Sequence, residues 1–333
     1  MMQLEKRPRR VRSFGGNRDS WEALEPECSL VTVGHPLESA ELERVASLLS
    51  SRPDVTLRFH TRAARDLDFL RHFPGLRRLS IDLWELEDIA GFSHLQHGLE
   101  LLHFGKTRKR FSLRFLDAMP LLQKLSLVGH TKDIMVVRGL SSLTAVELRG
   151  ITLPDLSVLA SKPQLAAVSL LLGGTTNLSH LAELPRLETL NLMRITKLAD
   201  VSVLRELAAL RVLNLDWMRN ITSLPSLAPL SHLEEVSLET MKGLTELSAV
   251  AAAPALRRLT IEGMPQLDAA AFRCLIGHPC LSELRLLPSL GGVNLKKAVL
   301  EAVRQLLPEI VRPPAGFTPV VIKRLNRRPR EDL

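Results

Sequence analysis

Aromatic residues are scarce in this 333-residue sequence, where they make up 4% of the chain, and tyrosine is absent. Hydrophobic residues nevertheless reach 45%, so a large core must be built from aliphatic side chains. No run approaches the roughly 18 consecutive apolar residues that a membrane-spanning helix needs. The basic N-terminal segment has no apolar stretch behind it, which argues against a secretory signal.

Cysteine is scarce as well. Cys28, Cys274 and Cys280 are odd in number and lack the spacing of a disulfide framework, which favours a reducing, cytoplasmic location. Cys274-x3-His278-x-Cys280 contains residues that can ligate a metal, but no fourth ligand is near in sequence. We therefore expect no metal site, and we expect Cys274 to pack in the core or in a cap.

Motifs of cofactor binding and catalysis are also missing. The chain contains no GxGxxG, no GxxxxGK[ST] and no GxSxG, so nothing predicts a phosphate cradle or a catalytic serine. We predict no cofactor and no catalytic residue. The protein is expected not to be an enzyme.

The formal net charge of +8 lies in the termini. Residues 1–13 and residues 312–333 each carry +4, so the residues between them sum to zero. Short basic tails most often keep a protein soluble, but they can also contact anionic partners without reading a sequence. Association with nucleic acid or anionic lipid through residues 6–12 and 323–330 is therefore an alternative function.

What the sequence does contain is a repeat. The pattern LxxLxL occurs ten times at intervals of 21 to 25 residues, and VTLRFH, with Leu57 and Phe59, reads as a degenerate eleventh copy. Each LxL predicts a short strand with two aliphatic side chains on one face. The intervening segments, such as PDLSVLASKP, predict returns of 3₁₀ helix or extended chain. One unit cannot bury its leucines alone, so stacked units must share one core. The middle residues of the ten copies are Leu79, Leu102, Leu125, Val146, Val168, Leu190, Leu213, Val236, Leu259 and Leu284.

Over about residues 55–290 the chain resembles leucine-rich repeat proteins. The returns Asp155-Leu-Ser157-Val-Leu159 and Asp200-Val-Ser202-Val-Leu204 resemble the bacterial internalin-like class, although no secretion or wall-anchor segment is recognised. The resemblance implies an α/β solenoid: a horseshoe with a concave parallel β-sheet, short convex returns and about ten to eleven repeats. It also implies a habit of binding proteins. The family carries Asn or Cys three residues after the last strand leucine, where this chain has Trp84, Thr107, His130, Ile151, Gly173, Ile195, Met218, Met241 and Met264.

The ends are predicted to act as helical caps. Residues 29–33 and 55–60 read as strands, residues 38–49 as a helix between them, and residues 66–72 as helical. Near the C-terminus, LKKAVLEAVRQLL places Leu295, Val299, Val303 and Leu306 on one helical face that would cover the last coil. The predicted organisation is a basic, disordered tail (1–27), a cap with the degenerate repeat (28–75), the solenoid (76–290), a capping helix (291–311) and a basic tail (312–333).

The concave face is the predicted binding surface, because alternate strand residues point away from the core. The outward-pointing residues that flank the middle of each strand are basic in the first half of the sheet, apolar in its centre and acidic in the later part. Such a gradient suits an oriented polypeptide ligand. We expect Leu171, Met193 and nearby Trp217 to be the apolar anchors. The predicted partner-binding residues are Arg78, His103, Lys124, Arg149, Leu171, Met193, Asn191, Asn214, Asp216, Trp217, Glu239 and Glu262.

The sequence thus predicts a non-catalytic scaffold that binds a protein partner and acts as an adaptor, an inhibitor or an immunity-type protein. The two alternatives are association with an anionic partner through the basic termini and service as the recognition subunit of a separate enzyme. The repeat alone cannot choose among them, because one architecture hosts many roles.

Overall fold

The computed structural model describes residues 10–14, 24–95, 98–288 and 294–310, with the backbone alone for residues 10–14. These residues contain one open sheet in which every strand pairs in parallel with the next strand of the chain. The leucine-rich repeat solenoid predicted from the sequence is confirmed. The strands β1 to β13 are, in order, Arg10–Phe14, Cys28–Val33, Thr56–Phe59, Arg78–Ile81, Leu101–Phe104, Lys124–Val128, Ala145–Arg149, Ala167–Leu171, Thr189–Met193, Val212–Asp216, Glu235–Glu239, Arg258–Glu262 and Glu283–Leu287.

The repeated leucines form one continuous core behind the sheet. Leu79 and Leu213, each the middle residue of an LxxLxL copy, have no exposed surface. Leu57 and Phe59 pair in register with Leu79 and Ile81, which confirms the degenerate eleventh copy. Burying one such side chain stabilises the fold by roughly 2 kcal/mol. Because equivalent leucines of neighbouring repeats pack on one another, all repeats share one core and no single repeat forms a core by itself.

The returns are short, as the spacing of their apolar residues predicts. Their side chains are buried at every third position, which matches the three residues per turn of a 3₁₀ helix. One return contains only a single α-helical turn, α2 (Ser248–Ala251), and residues 217–234 cross without a helix. The 3₁₀ helices are Asp68–His72, Ala90–Leu95, Leu113–Ala118, Ile134–Gly139, Ser157–Leu159, Ser179–Glu183, Ser202–Glu206 and Ala270–Leu275. The other two α-helices are α1 (Ser39–Ser50), near the N-terminus, and α3 (Lys297–Leu306), near the C-terminus.

The N-terminal end continues the sheet. Helix α1 connects β2 to β3, and it begins with a capping box in which the Glu41 carboxylate accepts from the Glu38 backbone N–H at 3.0 Å. Val45 on its inner face is fully buried. The sequence predicts disorder over residues 1–27, but the structure differs at Arg10–Phe14. That segment forms β1 on the outer edge of β2, whose backbone donors and acceptors would otherwise lack a strand partner.

Helix α3 packs on the C-terminal end of the core, with Val303 fully buried. The residues of the expected apolar stripe that join Val303 in this packing are Leu295, Val299 and Leu306. After the helix, the Ile310 carbonyl accepts a hydrogen bond of 2.7 Å from the backbone N–H of Leu284, on the free edge of β13. Within the described ranges, every helix is too short or too polar to traverse a lipid bilayer.

The turn positions that hold Asn or Cys in the resembling family are mostly apolar here. Met218, Met241 and Met264 are fully buried and extend the core under the turn. Their backbone is satisfied by neighbouring backbone, as when the Ile221 N–H donates to the Met218 carbonyl at 3.3 Å. Trp84 differs, because it is 43% exposed. Side chains also take part in these turns, because the Gln266 amide donates to the Met241 carbonyl at 2.7 Å.

Candidate interaction surface on the concave sheet

One residue of each strand from β4 to β13 forms a central column along the concave face: Ser80, His103, Ser126, Glu147, Ser169, Asn191, Asn214, Ser237, Thr260 and Arg285. The sequence predicts that these side chains point into solvent. The first six are instead buried, the next three are half-buried, and Arg285 is exposed. Strand alternation fixes the direction of a side chain, but curvature brings neighbouring side chains together above it. The expectation that His103 and Asn191 are exposed is therefore wrong.

In the first half of the sheet the central column is a buried hydrogen-bonded chain. The Ser126 hydroxyl lies 2.8 Å from His103 Nδ1 and donates to Glu147 Oε1 at 3.0 Å. On the other side, His103 Nε2 lies 3.3 Å from Asp82 Oδ1. Burial opposes ionisation of Asp82, but the hydrogen bond and charge of His103, with Arg58, lower its pKa to about 2.

This arrangement contains the residue types of a serine hydrolase triad, which the sequence did not reveal. Ser126 has no exposed surface, and its hydroxyl is engaged with Glu147. A nucleophile must reach a substrate carbonyl, so the geometry does not support that chemistry. The buried chain instead joins polar side chains of adjacent repeats, although Glu147 Oε2 has no hydrogen-bond partner among the described residues.

The middle of the central column is an amide ladder. The Asn191 amide donates to Ser169 Oγ at 2.8 Å, and the Asn214 amide donates to Asn191 Oδ1 at 2.5 Å. Each amide thus fills the acceptor of the previous repeat. Asn214 remains half-buried at the end of this ladder, which places it at the boundary between the buried and the open part of the face.

The predicted basic residues flank the buried chain. Arg78, Lys124 and Arg149 are all half-buried. Burial lowers the pKa of Arg78, and burial followed by the charge of Arg78 lowers the pKa of Lys124. Arg149 Nε is buried and has no hydrogen-bond partner among the described residues. The basic character of this part of the face therefore agrees with the sequence.

The apolar centre differs from the prediction in one residue. Leu171 is only 3% exposed, so it cannot be a surface anchor, because adjacent side chains on the concave strands cover it. The next residue, Leu172, is 43% exposed. Met193 is half-buried and Trp217 is 37% exposed. The exposed apolar residues are thus Leu172 and Trp217, with Met193 partly accessible between them.

Leu172 and Trp217 belong to a second column, which we call the rim column. It consists of the residue that follows the strand in seven successive repeats, and each member has a positive φ. Three members are glycine, which adopts this left-handed backbone freely, and four carry side chains that make it unfavourable by roughly 1 kcal/mol each. The members are Gly129 (φ 75°), Gly150 (63°), Leu172 (59°), Arg194 (53°), Trp217 (54°), Thr240 (51°) and Gly263 (60°).

Backbone hydrogen bonds hold the rim column in this conformation. The N–H of Gly150 donates to the Leu171 carbonyl at 2.7 Å, and the N–H of Leu172 donates to the Met193 carbonyl at 2.8 Å. The same bond recurs at Trp217 and Thr240. The turn therefore forces the conformation whatever the residue, and the non-glycine residues are strained. The glycine that recurs two positions after the last strand leucine was the signal that could have revealed this column.

Trp217 is the centre of a small cluster on the rim. The Arg194 guanidinium lies over its ring, 5.2 Å from the centroid. The Trp217 indole N–H donates to the Glu239 carboxylate. These contacts orient the ring while leaving part of its surface exposed, as cation–π and hydrogen-bonded tryptophans commonly are in interfaces.

The predicted acidic end contains an acidic row, Asp216, Glu239 and Glu262, at equivalent positions of three adjacent strands. Burial and then the charges of Glu239 and Glu262 raise the pKa of Asp216 to about 7, although Arg194 opposes the shift. Burial also raises the pKa of Glu239, and burial followed by the charge of Glu239 raises that of Glu262. Like charges therefore face each other here, and Arg194 offsets them only in part.

A cavity of about 280 Å³ opens where the apolar centre meets the acidic row. Met193 and Leu171 line its apolar side, and Asn214, Asp216 and Glu239 line its polar side. The structure thus brings together six of the predicted site residues in one cavity, because Asn191 lines it as well. It leaves Arg78, His103 and Lys124 far along the sheet, several strands away.

The other candidates from the sequence make no site. His278 is half-buried, with Nε2 bonded to the Ala253 carbonyl at 2.9 Å and Nδ1 accepting from the Leu281 N–H at 3.1 Å, so both nitrogens are used. Cys274 is exposed, contrary to the expected packing in the core, and its thiol donates to the Ala271 carbonyl at 3.2 Å. In the described ranges, no group of three or more His, Cys, Asp or Glu residues is arranged to hold a metal ion.

The alternative binding segments, residues 6–12 and 323–330, lie outside the described residues except for the backbone of residues 10–12. The proposal that they bind an anionic partner therefore stays a prediction.

No protein-family model and no curated protein sequence matches this chain. Similar solved structures include an internalin (inlF) from Listeria monocytogenes, with a TM-score of 0.53 and 17% identity over 85% of this chain and 78% of that one. They also include internalin C2 (inlC2) from Listeria monocytogenes, with a TM-score of 0.36 and 16% identity over 76% of this chain and 84% of that one. The functional domain of InlJ from the same species has a TM-score of 0.41 and 14% identity over 71% of this chain and 58% of that one. At this identity, the likeness to inlF establishes the leucine-rich repeat fold alone.

Proposed function

We propose that this protein is a non-catalytic scaffold that binds a polypeptide partner on the concave face, centred on the rim column between Leu172 and Thr240. An adaptor, an inhibitor and an immunity-type protein are the roles that such a surface serves. The leucine-rich repeat fold, which generally mediates protein interactions, supports the class of function. A cytoplasmic location remains part of the proposal, based on the three unpaired cysteines.

The observation that carries the proposal is the change in the rim column. Repeats on either side have glycine at this position, whereas four consecutive repeats have Leu172, Arg194, Trp217 and Thr240 in the same left-handed conformation. Backbone strain of this kind persists where the residue serves something other than stability, and it concentrates at binding sites. Two of the four side chains are large, apolar and exposed. Exposed apolar and aromatic residues beside polar groups are typical of interface centres.

The test uses glycine, because glycine removes the side chain and also relieves the strain. We expect the double variant Leu172→Gly, Trp217→Gly to keep its thermal stability within the range of the wild type while losing peptide ligands. Those ligands are selected from a random phage-displayed peptide library on the full chain and measured by fluorescence anisotropy. The control is Met135→Ala with Ile276→Ala, which removes two exposed apolar side chains, 50% and 54% exposed, from the returns.

The control variant should bind the selected peptides with wild-type affinity. Selected peptides that bind the glycine variant as tightly as the wild type would refute the assignment of the rim column. A library that yields no peptide dependent on the concave face would count against the proposed function as a whole.

A further inference from the structure

The two flanks of the sheet near its C-terminal end differ in how their charges are balanced. On one flank, Arg258 pairs with Glu235 and, at 2.7 Å, with Glu283. Glu283 also accepts from Arg285 at 2.7 Å. On the other flank lies the acidic row, and within the part of the chain that the structure describes none of its three carboxylates makes an ion pair. The same strands thus neutralise one flank and leave the other negative.

The nearest cation does not neutralise the acidic row. Arg194 acts on Asp216 only at a distance, because its guanidinium is placed over the Trp217 ring. Asp216 and Glu239 therefore line the cavity without an ion-pair partner among the described residues, and Glu262 continues the acidic row on the next strand. Charges half-removed from water in this way are stabilised when a cation of a partner enters the site.

Two buried oxygens in or next to the acidic row lack hydrogen-bond partners among the described residues. They are Asp216 Oδ1, which lines the cavity, and Thr240 Oγ1, whose residue is 8% exposed and directly follows Glu239. Buried oxygens without a partner are uncommon in folded proteins and call for an explanation. A donor that approaches from the concave side would supply the hydrogen bond that Asp216 lacks.

We infer that the acidic row is the subsite for a lysine or arginine side chain of the polypeptide partner, which enters the cavity beside Met193 while an adjacent apolar residue packs on Leu172 and Trp217. The inference rests on the proposed function and adds the chemistry of the ligand. A guanidinium carries five N–H donors and an ammonium three, and neither accepts a hydrogen bond, so both suit a site made of oxygen acceptors. The apolar contact explains why the cation would be part of a chain rather than free in solution.

The experiment compares peptides with and without the cation. Peptides are selected from the random phage-displayed library at about pH 8, where Asp216 is mostly ionised, and the recovered sequences are synthesised. We expect the recovered peptides to share a lysine or arginine next to an apolar or aromatic residue. Replacing that cation by glutamine should weaken binding by about tenfold or more, the usual effect of losing one charge-assisted hydrogen bond.

The protein variants test the same contact from the other side. Asp216→Asn and Glu239→Gln should each weaken the cationic peptides by about tenfold, with little effect on the glutamine-substituted peptides. Glu246→Gln is the matched control, because Glu246 is an exposed carboxylate outside the concave strands. Binding should also weaken by about tenfold between about pH 8 and pH 6, as Asp216 takes up a proton. The charges of Glu239 and Glu262 favour this protonation of Asp216, and the charge of Arg194 opposes it.

The outcomes separate this inference from the proposed function. If the selected peptides need Leu172 and Trp217 but bind Asp216→Asn and Glu239→Gln with unchanged affinity, the cation subsite is refuted and the scaffold stands. Peptides enriched in acidic residues would refute it as well. If no selected peptide depends on the rim column or on the acidic row, both proposals fail.

Discussion

Lys162 lies in the core, where an ionised side chain is unfavourable. It is 1% exposed and occupies the position that Leu140, Leu184 and Leu207 fill in other repeats. Its ammonium donates to the Leu140 carbonyl at 2.8 Å and to the Arg138 carbonyl at 3.3 Å. Burial lowers its pKa from 10.5 to about 8. Replacing it with methionine removes the buried charge while nearly keeping the side-chain length.

The magnitude follows from proton linkage. Between about pH 8 and pH 10.5 the unfolded chain holds the proton of Lys162 and the folded chain does not, so folding becomes more favourable as the pH rises. The lowered pKa of Lys162 costs about 3 kcal/mol of folding stability at pH 7 and about 1 kcal/mol at pH 10. The variant should therefore gain about 2 kcal/mol less from the substitution at pH 10 than at pH 7.

The assay is urea unfolding of the wild type and Lys162→Met at several pH values, with the difference in unfolding free energy taken at each. Taking the difference removes the titration of other groups, such as Cys274, whose pKa burial raises. Lys197→Met, at an exposed lysine, is the control and should show no trend. A difference for Lys162→Met that stays constant from about pH 7 to pH 10 would show that this lysine is not desolvated as the structure indicates.

Two further predictions concern buried polar and apolar contacts. Ser126→Ala should destabilise the fold by about 2 kcal/mol, because Glu147 Oε1 then lacks its hydrogen-bond donor. Ser237→Ala, at a half-buried position of the same column, should change the unfolding free energy by less than about 1 kcal/mol. Equal effects of the two variants on the urea midpoint would contradict the buried chain. Val303→Asp should destabilise the C-terminal repeats by about 3 kcal/mol, because α3 packs through this fully buried side chain, whereas Lys297→Asp on its exposed face should not. Protection from amide hydrogen exchange along β12 and β13 measures this, and unchanged protection in Val303→Asp would be the contrary result.

The fold could be predicted from the sequence because its determinant is local and repeated. Each LxL places two aliphatic side chains on one face of a strand, and no long-range information is needed to see that stacked units must share a core. Leu57 and Phe59 show this, because their register with β4 follows from the period alone. Strand β1 could not be predicted in the same way, since Arg10–Phe14 lies outside the period.

The candidate site was predicted less completely, because exposure depends on curvature. Leu171 and His103 point to the concave side as the alternation predicts, yet both are buried by neighbours on adjacent strands. Lys162 was missed for a different reason. Lysine followed by proline reads as a surface turn, and only the comparison of column positions shows that it replaces a core leucine.

If the rim column binds the partner as we propose, it separates binding from folding. A backbone hydrogen bond after each strand from β6 to β11 holds a left-handed conformation, whether the residue is Gly150 or Trp217. A side chain at this position costs roughly 1 kcal/mol of folding stability and projects at the edge of the concave face. Such a cost is small against a core that runs from β2 to β13. Four strained side chains in consecutive repeats, with glycine on both sides, therefore mark where this solenoid differs from a purely structural stack.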